Sequence, residues 1–310
     1  WEQYVTSSSR VFVKPNFCFP YYTKGVTTNP ELLRCLLNIL KSRAGSVVVG
    51  ESDGGMYTFT AEDAFRGHDM YRICDEAGVE LVSLSRLPSR TVKDKILGKT
   101  VQVELPEMLL DEIDCFISLP VLKVHVVTDI TLSLKNSWGC IGDTKRGLHH
   151  NSLGHKLALI AQCLKPKIVV VDGSYALDNH GPMYGEAVNT NMVLMADNTV
   201  VADALGARVM GFSPTKIQHI RIAENAGLGP TGLEHVQLNR DWQPLSRQFR
   251  INKTIIDWVS MLLFNWDFAS KVIMDSPLTP LIYKIAGLLR TSEEKKCESE
   301  MKCPGSTNNQ

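Results

Sequence analysis

The chain has no surplus of charge: 33 Lys plus Arg stand against 33 Asp plus Glu. That balance removes the basic footprint of a general nucleic-acid binder, so no nucleic-acid partner is expected. No apolar run approaches the roughly 20 residues that a membrane-crossing helix needs. There is no Walker A loop, no HExxH, no zinc-ligand spacing, and no GxGxxG after the first strand-like segment. CxxC pairs are absent too. The eight cysteines, at 18, 35, 74, 115, 140, 163, 297 and 303, are scattered and mostly lie in apolar segments. No structural disulfide is therefore expected, and a reducing, cytoplasmic compartment is favoured. Cys297 and Cys303 are too few for a four-thiolate cluster, so no iron–sulfur cluster is expected from this chain alone. No signal-peptide pattern is read in the first residues, and none is expected in this stretch. It starts on Trp1 close to a strand-like segment, and a native start upstream is expected.

The residues that are present read as α/β. A 44% hydrophobic and 21% charged composition over 310 residues is that of a globular chain with a large core. Arg10 to Lys14, Ser46 to Gly50 and Val79 to Leu84 are β-branched or apolar runs. Between them lie a helix opened by Asn29, Pro30 and Glu31, and another opened by Thr60 and Asp63 that runs to about Ala77. This alternation predicts a mainly parallel sheet with helices on both faces. Further strands are predicted at 100–105, 114–119, 167–172, 192–195 and 235–238, and helices at 106–112, 199–210 and 214–226. The reading divides the chain into an α/β domain over 1–244, apolar helices over 245–290 and a disordered polar tail over 291–310. Trp258, Phe264, Trp266 and Phe268 make the second part a surface for the α/β body, a protein partner or a second copy. Membrane contact is the lesser expectation there.

In open α/β sheets, ligands gather at the carboxyl ends of the strands. Lys14 and Asn16 follow the first strand, Glu51 and Asp53 the second, Lys123 and His125 the 114–119 strand, and Asp172 the 167–172 strand. The stretch from Pro120 to His155 is dense in hydroxyls, amides, cations and histidines, among them Thr131, Lys135, Asn136, Lys145, Arg146, His149 and His150. Such groups suit a phosphate or carboxylate, and histidine adds proton transfer or metal ligation. The catalytic candidates are His125, Lys135 and Lys123. The substrate-binding candidates are Lys14, Asn16, Thr27, Thr28, Thr131, Asn136 and Asp172. No metal is named by this set. Asp203, among Ala202, Ala204 and Leu205, reads as a buried carboxylate that needs a partner.

Several phrases together carry a resemblance. They are Val13-Lys14-Pro15-Asn16, Thr27-Thr28-Asn29-Pro30-Glu31, Lys123-Val124-His125, Thr131-Leu132-Ser133-Leu134-Lys135-Asn136 and Gly139-Cys140, followed by Val171-Asp172-Gly173, Gly181-Pro182 and Ala202-Asp203-Ala204. In this order, over roughly residues 10 to 240, the chain resembles domain-of-unknown-function family 362, often described as iron–sulfur-associated. The resemblance implies an α/β domain that is frequently joined to a ferredoxin-like module, whose cysteine runs this chain lacks. It implies no particular reaction. The function expected from the residues is an enzyme acting on a small anionic substrate or cofactor through a Lys/His site. The alternatives are an accessory protein that binds a metal or cofactor, and a redox subunit with an external iron–sulfur partner.

Overall fold

The computed structural model describes residues 1–255 together with 257, 258, 261, 276 and 277. The chain opens with β1 (Arg10–Lys14), α1 (Pro30–Lys41) and β2 (Ser46–Glu51). Asn29 caps α1 as its sequence signature predicts, its side chain accepting from Glu31 N. The single helix expected up to Ala77 is two, α2 (Ala61–Gly67) and α3 (Met70–Ala77). Thr60 and Asp63 form a capping box on α2, and Asp69 breaks the run with a left-handed backbone at φ 58°. β3 (Glu80–Ser83) closes this half.

A hairpin follows, β4 (Ser89–Ile96) and β5 (Lys99–Pro106), turning on Leu97 and Gly98, both at positive φ. Next come α4 (Glu107–Asp111), β6 (Cys115–Ser118), β7 (Val121–His125), β8 (Asp129–Thr131) and α5 (Ser133–Asn136). The described body ends with α6 (Leu153–Leu164), β9 (Ile168–Asp178), β10 (Glu186–Ala196), α7 (Thr199–Val209) and α8 (Gln218–Asn225). The main sheet runs β3-β2-β1-β6-β9-β7-β8, with β10 also on β9. Its interior pairs are parallel, whereas β8 on β7 and β10 on β9 are antiparallel.

Strand alternation sends neighbouring side chains to opposite faces. Val11, Val13, Val49, Ile117 and Val170 pack with Leu33 and Leu37 of α1 and Ile73 of α3. Phe12, Val48 and Phe116 pack on the other side with Leu157 and Ile160 of α6. Val169 and Val171 join Val200 of α7 and Ile220 of α8. Each fully buried aliphatic side chain of this kind contributes about 1.5–3 kcal/mol. The sheet is thus covered on both faces, as the sequence predicts.

Three further expectations are corrected. No strand forms at 235–238. The 214–226 helix is a short turn at Pro214–Lys216 followed by α8. Lys123 and His125, expected to follow the 114–119 strand, sit on a strand of their own, β7. Pro120 has no N–H for a ladder, so β6 stops before it, and its carbonyl accepts from Asp172 N at 2.8 Å as the chain re-enters beside β9. Ile255, Asp257, Trp258 and Met261 are helical. The rest of the expected 255–290 helices, and the tail from 291, lie outside the described residues.

Candidate functional site

The carboxyl ends of β1, β2 and β7 open on one side of the sheet, and α5 lies over them. Together they line a cavity of about 110 Å³ walled by Lys14, Asn16, Glu51, Lys123, His125, Thr131, Lys135, Asn136 and Arg146, with Cys18 and Trp138 beside them. That is many times the roughly 10–15 Å³ that one water occupies.

Two lysines are built into the wall. Lys14, 1% exposed, donates to Glu51 Oε1 at 2.6 Å and to the Pro15 carbonyl at 2.9 Å. Glu51 also accepts from the backbone of Phe17 and Ser52. Gly139 makes room for this pair, because a Cβ there would stand 3.1 Å from both Glu51 Oε1 and Lys14 Nζ. Lys123, with no exposed surface, donates to Asn16 Oδ1 and the Val26 carbonyl, both at 2.7 Å, and to Cys18 Sγ at 3.0 Å. Its three N–H bonds are used, and none reaches a carboxylate. Asn16 passes the network on by donating to Asn136 Oδ1 at 2.9 Å. Asn136 Nδ2 in turn donates to the Lys14 carbonyl.

The remaining polar groups face the cavity with capacity to spare. Lys135 makes no hydrogen bond or ion pair among the described residues. Burial, with the charges of Arg146 and Lys123 added, brings its amine down to about 7. His125 Nδ1 accepts from Val127 N at 3.0 Å, so the neutral ring carries its proton on Nε2. Burial, then Lys135 and Lys123, hold this ring well below its usual pKa. The neutral ring therefore keeps a hydrogen-bond donor on Nε2 at the cavity wall. Thr131 Oγ1 and Trp138 Nε1 are buried with no partner among the described residues. Among the described residues Arg146 donates to backbone carbonyls, those of Asp53, Asp143 and Ile141.

Seven sequence candidates meet in this cavity: Lys14, Asn16, Lys123, His125, Thr131, Lys135 and Asn136. The other three stand behind it. Thr28 Oγ1 accepts from Asn16 N and donates to the Leu119 carbonyl, while Thr27 ties to Thr23. Asp172 accepts from Asn29 N and Ser174 N, anchoring the start of α1. Glu51 and Arg146 line the cavity without having been among the site candidates. Their signals were a place at a strand end and a place in the dense 120–155 stretch. Trp138 lay in the same 120–155 stretch, whereas Cys18 carried no such signal. His149 is exposed, and His150 donates to the Gly147 carbonyl while lining a second cavity with His219. Among the described residues no three His, Cys, Asp or Glu side chains converge as a metal site.

Comparison with known proteins adds kinship. Residues 11–208 match a family described as a domain of unknown function, DUF362. A thylakoid-associated protein of Synechocystis sp. is 22% identical over 239 residues, which cover 74% of this chain and 72% of that protein. No solved structure matches.

Proposed function

The chain belongs to domain-of-unknown-function family 362, and from that premise, which assigns no reaction, we propose that it is an enzyme acting on a small anion held in the cavity. One observation carries this reading. Lys14, Lys123, Lys135 and Arg146 line the cavity, and among the described residues Glu51 is the only carboxylate lining it with them. Buried charge without a counter-charge is costly, and a bound anion supplies the missing one. The orphaned donors of Thr131 and Trp138 and the Nε2–H of His125 offer directional contacts to its oxygens. Arg146 supplies the charge. The Lys14–Glu51 pair offers a carboxylate for proton transfer at the cavity edge.

The test is thermal denaturation of the full chain with phosphate and with small mono- and dicarboxylates. At least one anion is expected to raise the melting temperature, and R146M is expected to weaken that response. If none of these anions moves the melting temperature, the reading is rejected.

A second reading, attachment to a membrane surface, draws on the relative's thylakoid association and on the exposed Ile255 (83%) and Trp258 (55%). No helix among the described residues is long and apolar enough to cross a membrane. In the sequence from Ile255 onward no uninterrupted apolar run reaches the roughly 20 residues that a spanning helix needs, so this reading has the segment lie on such a surface.

A further inference from the structure

We propose that Lys135 is a nucleophilic amine that forms an imine with the carbonyl group of a small 2-oxo acid. The proposal rests on the anion-site reading above and names its substrate class. In the step, the Nζ lone pair attacks the carbonyl carbon and a C–N bond forms. The carbonyl oxygen then leaves as water, taking both protons of the neutral amine, and a C=N bond remains. No oxidant or reductant is consumed.

The argument starts from what each amine of the site is doing. Lys14 is committed to Glu51 and the Pro15 carbonyl, and Lys123 to three acceptors. Lys135 lines the same cavity with no acceptor among the described residues. An amine used as a permanent anion clamp would be expected to stay charged. This one sits beside two cations and is partly shielded from water, conditions that disfavour its charge and favour its lone pair. Its position near 7 makes a large fraction of it neutral at physiological pH.

The neighbours fit a carbonyl compound bearing a carboxylate. Arg146, held by three backbone carbonyls, keeps its guanidinium at the cavity and provides the charge for the carboxylate. The carbonyl oxygen gains negative charge as the amine attacks, and it needs neutral donors that do not first neutralise the nucleophile. His125 Nε2–H and the two orphaned donors, Thr131 Oγ1–H and Trp138 Nε1–H, are of that kind. The small volume, about 110 Å³, favours a compact 2-oxo acid over a nucleotide-sized ligand.

The test uses the full chain with glyoxylate and with pyruvate at neutral pH in the presence of cyanoborohydride, which reduces an imine to a stable secondary amine. Peptide mass spectrometry then locates the adduct. A single reduced adduct on Lys135, enriched roughly tenfold over the exposed Lys93 and Lys95 and absent in K135R, is expected. Its rate should climb as pH rises through about 7. Phosphate and lactate, which bind as anions but carry no carbonyl, are measured alongside by thermal shift. If these anions and pyruvate stabilise the chain but Lys135 stays unlabelled, or labelling is spread evenly over surface lysines, the imine is wrong and the anion site stands. If no anion binds and no label appears, both readings fail.

Discussion

Lys135 also sets a pH dependence of stability that does not rely on knowing the substrate. Its folded pKa of about 7 lies below the ordinary lysine value of 10.5. Between those two values the unfolded chain holds more protons than the folded one, so this residue makes stability rise with pH across that window. Below about 7 the cost of the buried charge is present in full. K135M removes the charge and keeps much of the volume. It should stabilise the chain at pH 6 by on the order of a few kcal/mol and flatten the slope above 7, as read from denaturant melts. E51Q acts in the opposite direction. It strands the buried Lys14 amine beside a neutral amide, and loss of one partner of a buried pair costs about 3–5 kcal/mol. A melting temperature unchanged by E51Q would contradict the ion pair. Some of this chemistry could be read along the chain and some could not. Asp203 was recognisable as a buried carboxylate in need of a partner. Its partners, the backbone amides of Ser133 and Leu134 at 2.7 and 3.0 Å, were not, since a backbone donor has no residue signature. Burial raises Asp203 to about 7 against the pull of those two amides, so its contribution to stability falls as pH rises from about 3.8 to about 7.

Among the elements, β7 decides the geometry of the site. It carries Lys123 in its middle and His125 at its end, and it is held by β9 on one side and β8 on the other. The turn between β9 and β10 also presses on it. Val126 N donates to the Gly181 carbonyl at 3.1 Å, and a Cβ at Gly181 would lie 1.8 Å from the Val124 carbonyl. No side chain fits there without moving one of the two segments. G181A should therefore cost about 1–3 kcal/mol or more and displace His125. The measurement is a melt combined with the NMR shift of the His125 ring, which should move more than that of the exposed His149. An unmoved ring and an unchanged melt would remove the turn from the support of the site. The sequence pattern did not disclose β7, because Val121 to His125 directly follows another apolar strand and only Pro120 separates them. It did not disclose α6 either. That helix is buried on nearly every side and so has no polar stripe to mark its period. The parallel strands β1, β2 and β6 were readable because burial on both faces makes them continuous β-branched or aromatic runs. β4 was not, since most of its residues are exposed and charged or polar.

At the scale of the whole molecule, the question is what the segment after residue 247 does for the body. The chain remains strapped to the sheet there. Arg247 N donates to the Val209 carbonyl, Phe249 N to the Met210 carbonyl, and Asn179 N to the Arg250 carbonyl. Phe249 is 6% exposed within the α7 and α8 cluster. Beyond the strap, Thr254 and Asp257 cap the helical turn that begins at Ile255, and His180 Nε2 lies 3.8 Å from Asp257. The start of the apolar segment is thus tied to the turn beside the site, while Ile255 and Trp258 face outward. Two truncations separate the strap from the segment that follows it. Ending the chain after Arg247 removes Phe249, and emptying a buried aromatic site costs about 3–5 kcal/mol. That variant should melt well below the full chain or aggregate. Ending it after Thr254 keeps the strap and removes the apolar stretch together with the polar tail. If that stretch packs on the body, as its burden of aromatic surface argues, the second truncation also lowers the melting temperature, and neither form sediments with vesicles. Should the chain ending at Thr254 melt like the full one, while only the full chain pellets with anionic vesicles, the stretch belongs to a membrane surface and the body stands without it.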